Sequence, residues 1–133
     1  MIRSAVLFTF CLFLFAAGCN RKPAPPLPLN TIEDVRAALI KSGWPDAEYH
    51  PIQTSTGFIG ILDAGLMSYG NLKFEIYRAD TPENSRKIVS IFQEKGFSIA
   101  VREPFIVVMS DDENPDAVSG QLAKIGFAQL PKK

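Results

Sequence analysis

A single α+β domain is predicted by three observations. Three stretches carry a helix cap, an apolar stripe and a closing glycine. Short stretches of strand character lie between them. One unit of strand, capped helix, glycine stop and strand occurs twice in succession. The 133 residues are within the range of one domain.

Taken in order, the first helix is capped by Asn30 or Thr31. Thr31-Ile32-Glu33-Asp34 has the pattern of a capping box, with acids at the positive end of the helix dipole. Ile32, Val35 and Leu39 form its stripe and Gly43 ends it. Phe58-Ile59-Gly60-Ile61-Leu62 reads as a strand, and Gly70-Asn71 as a turn into Leu72–Arg78, whose alternation puts Leu72, Phe74 and Ile76 on one face. Thr81-Pro82-Glu83 opens the second helix with a cap, a proline at the first helical position and an acid in the first turn. Ile88, Ile91 and Phe92 form its face, and Lys95-Gly96 closes it. Phe97–Arg102 alternates, and Glu103-Pro104 turns the chain into Phe105-Ile106-Val107-Val108-Met109, a continuous apolar run expected to be a central strand. Asn114-Pro115-Asp116 opens the third helix, with Val118, Leu122 and Ile125 as its stripe and Gly126 as its stop. Phe127–Leu130 is a short last strand. Two tandem units compose β-α-β-β-α-β, the order of a ferredoxin-like sandwich. The right-handed crossover rule is then expected to set two helices on one sheet face. The first helix and the Phe58–Leu62 strand are additions to that plan. Such a fold hosts many unrelated functions.

The amino terminus carries a different signal. Met1-Ile2-Arg3 is a short positive region, Ser4–Phe15 is almost unbroken apolar sequence, and Ala16-Ala17-Gly18 is a run of small residues before Cys19. This is the anatomy of a secretory signal. The apolar stretch is shorter than the roughly 20 residues that a spanning helix needs. Ala16-Ala17-Gly18-Cys19 resembles the lipobox of bacterial lipoproteins, with Ala16 where leucine is usual. The resemblance implies a lipid on the Cys19 thiol and cleavage just before it. It also favours the periplasmic face of the outer membrane over the inner membrane in a diderm host, since Asn20 stands where inner-membrane retention uses aspartate. The mature chain would then contain neither free thiol nor disulfide, because Cys11 leaves with the signal. The expected division is 1–18 signal peptide, 19–30 lipidated cysteine and proline-rich linker, 31–130 domain, and 131–133 basic tail.

Composition narrows the function. The chain is 47% hydrophobic and 21% charged, with 14 Lys+Arg and 14 Asp+Glu, which excludes a highly charged disordered chain and a strongly basic nucleic-acid binder. From Asn30 to Leu130 there are 9 basic and 14 acidic residues, a net of −5, which disfavours nucleic acid by repulsion. His50 is the one histidine, so a multi-histidine metal site is excluded. It is expected in a Tyr49-His50-Pro51 loop, with no constellation for general base catalysis around it. Asp111-Asp112-Glu113-Asn114-Pro115-Asp116 places Pro115 and Asp116 fifth and sixth, which fails the calcium-loop pattern. It reads as a loop with acids at a helix start. The segment Gly65–Gly70 has Leu66 where a nucleophile elbow needs its first glycine. Gly57-Phe58-Ile59-Gly60 lacks the third glycine of a dinucleotide fingerprint. No metal or cofactor is expected. Trp44, Tyr49, Phe58 and Tyr69 fall in the irregular first half and form a candidate binding surface, since aromatics with a polar handle are enriched at interfaces. The alternative is that they fill a satellite core under the first helix. The expected function is a membrane-anchored envelope module that binds a protein partner or serves assembly, without catalysis. A small-ligand carrier or sensor, with a pocket between sheet and first helix, is one alternative. A hydrolase using carboxylates such as Asp63 and Glu75 is another.

Overall fold

The structure, a computed structural model, describes residues 28–53 and 60–133. The signal segment, Cys19, the linker through Leu27 and the aromatic Phe58 lie outside the described residues. Among the described residues the chain forms α1 (Ile32–Ser42), β1 (Glu48–Pro51), β2 (Ile61–Tyr69), β3 (Leu72–Ala79), α2 (Pro82–Glu94), β4 (Ser98–Arg102), β5 (Phe105–Met109), a 3-10 turn (Asp111–Glu113), α3 (Pro115–Ala123) and β6 (Ala128–Gln129). No described helix is long and apolar enough to cross a membrane.

The helix starts follow from side-chain capping. The Thr31 hydroxyl accepts the Asp34 N–H at 3.1 Å, and the Asp34 carboxylate accepts the N–H groups of Thr31 at 3.0 Å and Asn30 at 2.9 Å. Those two backbone donors hold the Asp34 carboxyl below the usual carboxylate range. Thr81 caps α2 in the same way through the Asn84 N–H at 3.1 Å. Asn114, ahead of α3, sits at φ 51°, a left-handed conformation that asparagine tolerates.

The strands β3, β4, β5 and β6 lie where alternation and turn residues place them. Two departures lie upstream. His50 is in an edge strand, β1, instead of a loop. Of the expected Phe58–Leu62 strand, Phe58 and Ile59 lie outside the described residues, Ile61 and Leu62 open β2, and β2 continues to Tyr69. All neighbouring strands pair antiparallel, in the order β1-β2-β3-β5-β4-β6.

That order corrects the ferredoxin-like expectation. β3, α2 and β4 do form a split unit, with β5 inserted antiparallel between β3 and β4. In the expected arrangement the last strand would line the outer edge of β3. Here β2 holds that edge through eight register pairs from Ile61↔Ala79 to Tyr69↔Leu72. The last strand, β6, pairs instead with β4 at the opposite edge, Ala100↔Gln129 and Val101↔Ala128. The second crossover, from β5 over β4 to β6, therefore travels the same way across the sheet as the first but starts from a strand of opposite direction. A right-handed crossover then lays its helix on the other face.

The core divides accordingly. On one face Ile32, Val35 and Leu39 of α1 and Val118 and Leu122 of α3 pack on Met67, Phe74, Ile76, Phe105, Val107 and Met109. On the other, Ile88 and Phe92 of α2 pack on Ala79, Ile99, Ile106 and Val108. The two helices expected together on one face, α2 and α3, are on opposite faces, and the sandwich has three layers.

Two outcomes test this description. A chain carrying Val101→Cys and Ala128→Cys should form a disulfide on mild oxidation, since directly paired antiparallel positions fall within bridging distance. Ala128→Cys combined with Tyr77→Cys on β3 should not, as read by mobility on non-reducing gels. Asp34→Asn should lower the thermal midpoint at neutral pH. Because the folded Asp34 carboxyl titrates low, its contribution is present above the ordinary carboxylate range and lost as pH falls through the lowered value. The gap between variant and parent should therefore close on acidification.

Candidate functional site

Three of the four candidate aromatics are described, and they lie together on the α1/α3 side of the sheet. Trp44 follows Gly43, which leaves α1 at φ 132°, and its backbone N–H returns to the Leu39 carbonyl at 2.9 Å. The indole is only 5% exposed. It stacks on Tyr69 at 5.3 Å between centroids with planes 11° apart, and lies 6.2 Å from Phe74. Tyr69 and Tyr49 are half-buried against the same cluster. Tyr49 lies across Gly65 of β2, where an added Cβ would stand 2.0 Å from the ring. Its hydroxyl donates to the Ala64 carbonyl at 3.4 Å. These rings wall the core between α1 and β1–β2, and Trp44 presents no surface to a partner.

A charged cluster closes the end of that wall. Arg78 of β3 donates through Nε and Nη2 to the two oxygens of Asp63 at 2.8 and 3.0 Å, and through Nη1 to the Asn30 carbonyl at 3.2 Å. Arg36 of α1 donates through Nε to the Ala47 carbonyl at 2.7 Å and pairs with Glu33. Asp63 holds the Arg78 guanidinium charged above its ordinary range. Burial, followed by the charges of Asp63 and Glu33, pushes the Tyr49 phenol up. The cluster joins the start of the domain to α1, β2 and β3. Leu29 also packs against the core, so the fold takes in the last two residues of the expected linker.

The carboxylates proposed for hydrolysis do not meet. The register places Asp63 opposite Arg78 on the α1/α3 face and Glu75 opposite Leu66 on the α2 face. Glu75 accepts the Tyr77 hydroxyl at 2.5 Å, and burial together with that carboxylate raises the phenol. His50 is exposed, 3.4 Å from Glu48. In the acidic turn the Ser110 hydroxyl bonds Asp112 and Glu113, and Asp111 pairs with Lys132 at 2.5 Å. Among the described residues no group of three or more His, Cys, Asp or Glu could hold a metal ion. Between α1 and the sheet, where a ligand pocket was an alternative, Ile32, Val35 and Leu39 fill the interface at 1% exposure or less.

Among the described residues, the part of the sheet that no helix covers is on the α2 face. α2 lies over β3, β5 and β4. Towards β1 and β2 no described helix covers the sheet. There Ile52 is 42% exposed and Leu66 is half-buried, and at the start of β2 Leu62 is 56% exposed. The register places Glu48, His50, Ser68, Lys73 and Glu75 on the same face. Leu62 falls at an irregularity in the β2–β3 register, a position that alternation cannot reveal. The β1 edge is guarded against further pairing. The Ile52 N–H bonds the Ala64 carbonyl at 3.0 Å, so the alternation of the ladder turns Pro51 outward, where its missing N–H takes one donor from the edge.

Compared with known protein families, with curated proteins and with solved structures, the chain finds no match.

Trp44→Ala is expected to cost about 3–5 kcal/mol, read as a lower urea midpoint, which marks it as a packing residue. Gly65→Ala should cost about 1–3 kcal/mol in the parent chain, and a Tyr49→Ala background should recover only part of that, because the added Cβ would also stand 2.9 Å from the His50 backbone carbonyl oxygen.

Proposed function

We propose that the chain is a lipid-anchored lipoprotein of the bacterial envelope that binds a protein partner through the open half of its sheet. The observation that carries the binding reading is that no described helix covers the β1–β2 end on the α2 face, where Ile52 is exposed on the side that holds Glu48, His50 and Glu75, with the exposed Leu62 at the irregular start of β2. Apolar groups ringed by polar ones are the composition of an interface. The anchor rests on the resemblance of Ala16-Ala17-Gly18-Cys19 to a lipobox. Acyl chains on Cys19 would hold the protein in the bilayer, on the periplasmic face of the outer membrane, and a tether would raise its local concentration near an envelope partner. No nucleic acid is involved. The separation of Asp63 from Glu75 on opposite faces speaks against a hydrolase built on that pair.

Two experiments test the reading. Cys19→Ser should abolish acyl labelling and release the protein from membranes; labelling that persists would refute the anchor. A photocrosslinking amino acid placed at Leu62 should capture one adduct of defined mass in intact cells. The same group at Ile91, 38% exposed on α2, should not. Equal adducts from both positions would refute the open sheet as the partner surface.

A further inference from the structure

We infer that the cleft between α1 and α3 docks on the anionic surface of the bilayer that holds the anchor, and so fixes how the domain faces its partner. The inference rests on the lipid-anchor reading. The cleft, of about 220 Å³, is lined by Leu29, Ala38, Lys41, Ser42, Arg102, Lys124 and Ile125. It has an apolar interior, three cations and no carboxylate.

In a domain of net −5 that composition is unusual: three of the nine basic residues between Asn30 and Leu130 line this one cleft, whereas fourteen acids are spread elsewhere. Lys41 and Lys124 are exposed at the carboxyl-terminal ends of α1 and α3, and no ion pair among the described residues engages either. Arg102 reaches across Gly126 to donate to the Ile125 carbonyl at 2.8 Å, which holds its guanidinium at the cleft.

The path of the chain selects the occupant. Leu29, itself a cleft residue, is where the linker from Cys19 joins the body. Leu29 is ten positions after Cys19, a reach on the order of 30 Å if extended. The cleft is therefore the part of the folded surface into which the tether leads. Acidic surface elsewhere would be repelled by anionic headgroups, while this patch would be attracted, each cation near such a surface favouring contact by about fivefold. Docked this way, the domain would keep the open half of the sheet on the far side, since α1 and α3 cover the opposite face.

The test uses the acylated full-length chain in phosphatidylcholine vesicles with and without phosphatidylglycerol. A nitroxide is attached to Ala123→Cys beside Lys124, or to Lys87→Cys on α2 as the reference position. Contact with headgroups is read from collision with paramagnetic lipids. The label at 123 should contact headgroups only with phosphatidylglycerol present, and lose contact at about 1 M salt, where screening acts within about 3 Å. Lys41→Glu with Lys124→Glu should reduce the contacting population by at least about 20-fold while the chain stays anchored. Contact indifferent to phosphatidylglycerol, contact surviving the double variant, or equal contact at 87 would overturn the dock. A chain that floats with neither vesicle because Cys19 carries no lipid would instead refute the anchor. In that case the dock is decided by whether the unacylated chain brings the label at 123 onto phosphatidylglycerol vesicles.

Discussion

The pairing of β2 with β3 is the constraint from which the rest of the architecture follows. By occupying the outer edge of β3 along its whole length, β2 closes the place beside β3 to the last strand, which pairs with β4 instead. The reversal of that final crossover carries α3 to the face opposite α2. β5 is then enclosed on both sides, and Phe105, Ile106, Val107, Val108 and Met109 are all buried. Phe105 and Val107 serve one cluster and Ile106 and Val108 the other, so a one-residue slip of β5 would exchange its two sets of contacts. The fold is thus more strongly specified at β5 than at either edge, where β1 is mostly exposed and β6 is two residues long.

Local chemistry was well represented in the sequence. The Thr31–Asp34 box, the Thr81-Pro82 and Asn114-Pro115 starts and the closing glycines locate all three described helices, because capping depends on residues within one turn. Strand pairing depends on partners far apart in the chain, and alternation in one segment carries no information about its neighbour. One clue was present all the same. A strand apolar at five successive positions requires cover on both faces, which two helices on a single face cannot supply. β1 escaped notice because Glu48-Tyr49-His50-Pro51 is short and polar, with a proline that only an outward edge position tolerates. β2 was obscured by Gly65, whose purpose emerges only when Tyr49 is seen lying across it.

The aromatic residues illustrate a second limit. Their grouping in the first half of the chain was legible, and Trp44, Tyr49 and Tyr69 do share one region. Whether such a group faces inward or outward is decided by the helix that lies over it. The Ile32–Val35–Leu39 stripe of α1 and the stacked Tyr69 close over Trp44. The exposed positions Ile52 and Leu62 carry no such signature, since single apolar residues beside turns are common in any chain.

The bonds at Asn30 have a mechanical consequence. Its N–H is held by Asp34 at the head of α1, and its carbonyl by Arg78, which is itself clamped to Asp63. At equilibrium such a half-exposed pair is worth about 1 kcal/mol or less. Were the domain tethered at its amino end, as proposed, tension between anchor and partner would pass through this residue. The fork of bonds would divide that load between the start of α1 and the two central strands that Arg78 and Asp63 join.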